Sequence, residues 1–150
     1  MKLKDFDFRI YDNNTNKFIE LNISYNIRAI PRKNDDLMLE LWSGFYDSKG
    51  AKIYEGDIVK YDSRANPLVV VFERSTFYIV DTSIEKHLQV DCGTRLQGIY
   101  ENGNNGYTNQ KLECLKVLGN MHENAELLKE QDEAKRKGVE NGRYTETTRN

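Results

Sequence analysis

The chain has 150 residues, 38% of them hydrophobic and 31% charged, with a formal net charge of −2. That length fits one domain with a small appendage, and the near-neutral, slightly acidic balance offers no global attraction to nucleic acid or to an anionic membrane. Nowhere do 18 apolar residues run together, which argues against a transmembrane helix.

Met1 to Asp5 leads into no apolar run, so no secretory leader is expected and the protein is read as cytoplasmic. In Phe6–Leu21 the apolar residues Phe6, Phe8 and Ile10 alternate with Asp7, Arg9 and Tyr11. Asp12 to Asn16 is turn material and Phe18 to Leu21 returns, which predicts a hairpin. Ile23–Ile30 reads as a further strand, and Pro31–Asp36 as a charged break.

The stretch Leu37–Val59 organises the rest. Leu37, Leu39 and Leu41 alternate with Met38, Glu40 and Trp42, predicting a strand whose leucine face is buried. Gly44, Gly50 and Gly56 follow at equal spacing. Asp47-Ser48-Lys49-Gly50 reads as a type I turn with glycine in the left-handed position. Glu55-Gly56-Asp57 reads as a second tight turn, its aspartate accepting N–H groups from the strand that follows. On this reading Gly56→Val should destabilise the fold and Asp57→Asn should cost little.

Further strands are expected at Asp57–Tyr61, Leu68–Glu73 and Thr76–Val80, the second being the most apolar run of the chain. Val, Ile and aromatic residues in runs of this length favour strands over helices. His87–Val90 and Leu96–Tyr100 read as short strands, and Glu101–Gly106 as a polar loop. Glu113–Leu118 is the final strand, closed by the turn residues Gly119-Asn120. Asn124 is placed as the N-cap of a helix over Ala125–Lys137 that docks by Leu127 and Leu128. Val139–Asn150 carries one aromatic, Tyr144, and reads as a disordered tail.

The run Ser43-Gly44-Phe45-Tyr46-Asp47-Ser48-Lys49-Gly50-Ala51-Lys52-Ile53-Tyr54-Glu55-Gly56-Asp57-Ile58-Val59 resembles the core motif of the YopX family, small proteins of bacteriophages and prophages. Phe8-Arg9-Ile10-Tyr11-Asp12 with Asn16-Lys17-Phe18 resembles the family's N-terminal opening. Val117-Leu118-Gly119-Asn120-Met121-His122-Glu123-Asn124-Ala125-Glu126-Leu127-Leu128 resembles its closing motif. Ser43, Phe45 and Ala125 depart from the residues usual there. The resemblance implies a mainly β protein with an SH3-type barrel in the C-terminal half, and it implies no assigned activity. The expected organisation is an N-terminal β region over 1–36, a barrel domain over 37–128, and a helical extension and tail over 129–150. Five short strands joined mainly by tight turns agree with such a barrel.

Candidate chemistry is sparse. His87 and His122 are the only histidines. His122 beside Glu123 has the form of a carboxylate-oriented base, weighed against a residue of a connecting turn. Glu55 and Asp57 form a carboxylate pair, weighed against turn chemistry; with His122 they define a hydrolase alternative. Zinc held by Cys92, Cys114 and the two histidines lacks any close ligand pair, so neither metal nor cofactor is expected and the cysteines are read as two reduced thiols. Arg28, Arg32 and Lys33, near Tyr25, form a basic cluster suited to nucleic acid, yet Asp35 and Asp36 offset it. The weak binding candidates are Tyr54, Glu55, Asp57, Arg28, Arg32 and Lys33; the turn residues are Gly44, Gly50, Gly56 and Gly119. The leading expectation is a non-enzymatic phage or prophage interaction module whose partner is a host or phage macromolecule, protein rather than nucleic acid. A nucleic-acid-binding barrel is the first alternative. Open strand edges would also favour self-association.

Overall fold

A computed structural model describes residues 2, 5–20, 35–61, 66–103 and 109–129. The elements are β1 (Phe8–Asp12), β2 (Lys17–Phe18), β3 (Leu37–Tyr46), β4 (Lys52–Tyr54), β5 (Asp57–Lys60), β6 (Leu68–Glu73), β7 (Thr76–Val80), α1 (Lys86–Gln89), β8 (Thr94–Arg95), α2 (Leu96–Asn102) and β9 (Lys116–Asn120). They form two sheets, of strand order β2-β1-β3-β4 and β8-β7-β6-β5-β9. The protein is mainly β, as expected, and its five-stranded sheet curls into a half-barrel. Among the described residues no helix is long and apolar enough to cross a membrane.

The predicted first hairpin forms with Tyr11 opposite Phe18. The Asp12 carboxylate accepts the Asn14 N–H and the Thr15 hydroxyl, and Asn16 takes the left-handed conformation (φ 55°) that asparagine tolerates. β3 serves two partners in turn. Its first half pairs with β1, Arg9 facing Glu40; its second half, beyond a register shift between Trp42 and Tyr46, pairs with β4. Gly44, Gly50 and Gly56 all have positive φ, between 82° and 85°. The Glu55-Gly56-Asp57 step then carries the chain from β4 in one sheet to β5 in the other. β6 and β7 form a hairpin turned by Arg74 and Ser75, both with positive φ, the pattern that matches strand twist in two-residue loops.

At its centre the half-barrel is covered on both faces, which explains why neighbouring residues Val69 and Val70 of β6 are both apolar and both buried. On one face Val59, Val70 and Ile79 pack with Phe45, Ile53, Leu96, Ile99, Leu112 and Leu115. On the other, Ile58, Val69 and Val80 meet Leu118, Leu127 and Leu128.

Several expectations are corrected. His87–Val90 and Leu96–Tyr100 lie in or beside α1 and α2 rather than strands. Leu96 and Ile99 are spaced by three and both buried, so helical periodicity brings them to one face. The last strand is Lys116–Asn120; Leu112 and Leu115 precede it in a turn closed by the Leu115 N–H on the Leu112 carbonyl. On β3 the leucine face is not the buried one: Leu39 is 49% exposed and Leu37 and Leu41 are half-buried, whereas Glu40 is only 6% exposed. Of the five strands expected in the barrel, the first, β3, belongs instead to the sheet of β1, and β8 is the fifth strand of the half-barrel. Asn124 does not cap with its side chain. Its Oδ1 turns back to accept the Asn120 N–H, while residues 126–129 are helical and dock through Leu127 and Leu128. The strand expected at Ile23–Ile30, the remainder of the helix to Lys137 and the tail lie outside the described residues.

Candidate functional site

Four segments far apart in sequence meet at a chain of charges between the two sheets. Arg9 alternates with the buried Phe8 and Ile10, so it and Tyr11 share the other face of β1. Arg9 lies directly across from Glu40 on β3, and its Nε donates to Glu40 Oε2 at 2.6 Å. Its Nη2 donates to Asp57 Oδ1 at 2.7 Å and to the Glu55 carbonyl at 3.2 Å. The guanidinium stands 4.7 Å from the ring centroids of both Phe18 and Tyr54, a double cation–π arrangement. At the far end His122 Nε2 meets Glu40 Oε1 at 2.5 Å. The imidazole stacks on Tyr11 at 3.8 Å and 11°, with the Phe18 ring edge-on to it.

The closing turn holds His122 in place. Asn120 Oδ1 accepts the backbone N–H groups of both His122 and Glu123, and its Nδ2 donates to Glu123 Oε2 at 3.1 Å. The carboxylate that orients His122 is therefore Glu40, not its neighbour Glu123. Gly119 is required here by close approach: a Cβ on it would lie 2.9 Å from Asn124 Cβ.

Asp57 sits at the hinge between sheets, its Oδ2 accepting the Tyr54 N–H at 2.8 Å. The donor lies in the preceding strand, not the following one, because the aspartate folds back over its own turn. Burial raises the Asp57 carboxyl above its ordinary range, against the opposing pull of Arg9. Burial also raises Glu55, whose backbone carbonyl, rather than its carboxylate, is what Arg9 contacts. Beside this chain, Asp7 Oδ2 accepts the Tyr54 hydroxyl and Lys52 Nζ, each at 2.6 Å, and that ammonium lies 4.7 Å from the Trp42 ring centroid. Burial raises the Tyr54 phenol strongly, reinforced by its hydrogen bond to Asp7. Burial alone would raise Asp7 as well, but the hydrogen bonds from Lys52 and Tyr54 outweigh it and leave the carboxyl below its ordinary value.

Of the residues singled out in the sequence, Tyr54, Asp57 and His122 are brought into one network, and Glu55 joins through its main chain. Arg28, Arg32 and Lys33 lie outside the described residues. Cys92 and Cys114 are exposed free thiols, and among the described residues no group of three or more metal-ligating side chains gathers. Sequence reasoning missed Arg9, Glu40 and Tyr11. The available signal was a charged residue placed within an apolar strand on each of two segments, since such residues must find partners when buried.

A second feature lies elsewhere. An open groove of about 810 Å³ runs between the β7–β8 edge, α2 and the turn at 112–114. Its floor is Val90, Ile99 and Leu112, all buried, and its walls carry Tyr78, Arg74 and Arg95.

No curated protein matches the sequence. Among solved structures, that of protein EF1440 from Enterococcus faecalis is similar, with 18% identity, a TM-score of 0.49, and coverage of 82% of this chain and 97% of that one. The profile of the family described as YopX protein matches residues 2–129, a span that holds the opening strand of Arg9, the core turn of Asp57 and the closing turn of His122. The chain therefore belongs to the YopX family.

Proposed function

We propose that this protein is a non-enzymatic phage or prophage accessory module that binds another protein in a bacterial cell. The reading is supported by how completely the buried polar groups are used within the fold. Among the described residues no buried side-chain nitrogen or oxygen lacks a hydrogen-bond partner. Arg9, Glu40, Asp57 and His122 are bonded to one another and to the main chain, and no serine, threonine or cysteine takes part in those bonds. A network spent in this way serves as a staple between segments. The open groove, by contrast, offers surface to a partner.

The test places a photoreactive phenylalanine analogue at Glu113 on the groove, and separately at Asn13 in the β1–β2 turn. Irradiation of living bacteria should give, from Glu113, nuclease-resistant adducts with one defined protein, identified by mass spectrometry and recovered in a reciprocal crosslink. Adducts that nuclease removes, or none from either position, would count against protein binding.

A hydrolytic reading has one observation in its favour, the carboxylate-paired imidazole of Glu40 and His122. It predicts turnover of generic ester, phosphodiester or peptide substrates that His122→Gln abolishes. The stacking of Tyr11 over the imidazole, and the missing nucleophile among its bonded neighbours, favour the staple.

A further inference from the structure

The pairing of charges along the groove, rather than their sum, says what it takes. Four charged side chains line it: Arg74, Arg95, Asp91 and Glu113. Arg74 Nη1 is bound to Asp91 Oδ1 at 2.9 Å, and Glu113 is paired with Lys111 at 3.4 Å. Among the described residues Arg95 has neither an ion pair nor a side-chain hydrogen bond, and it is exposed. It stands on β8, a two-residue strand at the edge of the half-barrel that, among the described residues, pairs with β7 on one side and with no strand on the other.

We propose that the groove binds an extended, acidic segment of a partner protein, with Arg95 receiving one aspartate or glutamate carboxylate. A guanidinium matches a carboxylate with two parallel N–H donors, which is the strong form of this contact. An edge strand supplies free main-chain donors and acceptors to an added extended chain. The buried floor of Val90, Ile99 and Leu112 and the Tyr78 ring receive apolar side chains flanking the acid. A nucleic acid fits less well, because among the described residues the groove offers one cation without a counter-ion, whereas a run of successive phosphates needs several. The inference deepens the protein-binding reading and rests on it.

The test uses fluorescent, N-acetylated decapeptide pools with one position fixed as Asp, Glu, Asn or Gln, titrated into the full chain. Anisotropy reads affinity, and backbone amide shifts read location. The Asp and Glu pools should bind about tenfold tighter than the Asn and Gln pools, with shifts confined to Thr94, Gly98, Glu113 and their neighbours. Arg95→Gln should erase the preference and Arg95→Lys should keep part of it, with both variants melting like the parent because the side chain is exposed. Equal binding by all four pools, a preference that survives Arg95→Gln, or tighter binding of a short oligothymidylate whose affinity falls with salt would each overturn the proposal. If the pools bind alike while crosslinking from Glu113 still captures a protein, only the acidic-segment inference falls. If crosslinking captures nothing, the broader reading falls with it.

Discussion

At the level of single residues, Gly56 and Asp57 divide the work of one turn. Gly56 has φ +82°, and a Cβ there would stand 2.6 Å from Glu40 Oε1. Gly56→Val therefore combines backbone strain with a collision against a carboxylate already held by Arg9 and His122. Chemical denaturation should show a loss of about 3 kcal/mol or more, and a melt unchanged from the parent would contradict this account of the turn. Asp57→Asn, which the sequence alone suggests is mild, should instead cost about 2–4 kcal/mol. The amide keeps one acceptor where two are needed, for the Tyr54 N–H and for Arg9, and it turns an N–H₂ toward one of those donors. Asp47 is comparable: its carboxylate accepts the backbone N–H groups of Lys49, Ala51 and Val117, tying the core turn to β9. Asp47 was legible as a turn residue, but Val117 was not, because a contact 70 positions away leaves no local trace.

Among the elements, β6 is legible in the sequence and α2 is not, because the two carry different amounts of local signal. The run Leu68–Phe72 is apolar throughout and rich in valine, with Val69 and Val70 buried on opposite faces of the strand, so composition alone identifies it. Leu96–Asn102 has two buried anchors, Leu96 and Ile99, within seven residues, too few turns for periodicity to speak clearly. Packing decides it: Leu96 and Ile99 complete the cluster on the inner face of the half-barrel. Leu96→Ala should then cost about 2–5 kcal/mol. The exposed Gln97→Ala should stay within about 0.5 kcal/mol. Equal effects in urea titrations would mean that the helix does not bury the face assigned to it.

At the scale of the whole molecule, the charge chain joins positions 31, 48 and 82 residues apart. Arg9→Ala would leave Glu40 and Asp57 buried without their shared cation, and should cost about 3–5 kcal/mol; a loss under a fifth of that would remove its role as a staple. Stability should also vary with pH at both limbs. The Tyr54 phenol is raised above its ordinary 10.0, so its contribution is whole below that pH and is lost as pH rises past it. Asp7 is held below its ordinary 3.8, so its contribution is present above that value and is lost as pH falls through the lower folded one. Stability profiles of Tyr54→Phe and Asp7→Asn should be flatter than the parent's on the alkaline and acid limbs respectively. The sequence by itself determined the family, the hairpins and the turns at Gly50 and Gly56, because alternation and local turn chemistry are properties of neighbouring residues, whereas Gly44 and Gly119, also read as turn residues, lie within β3 and β9. Which face of β3 is buried, which carboxylate holds His122, and which arginine is left free at the groove were decided only by tertiary structure, since each depends on what distant segments bring to the same place.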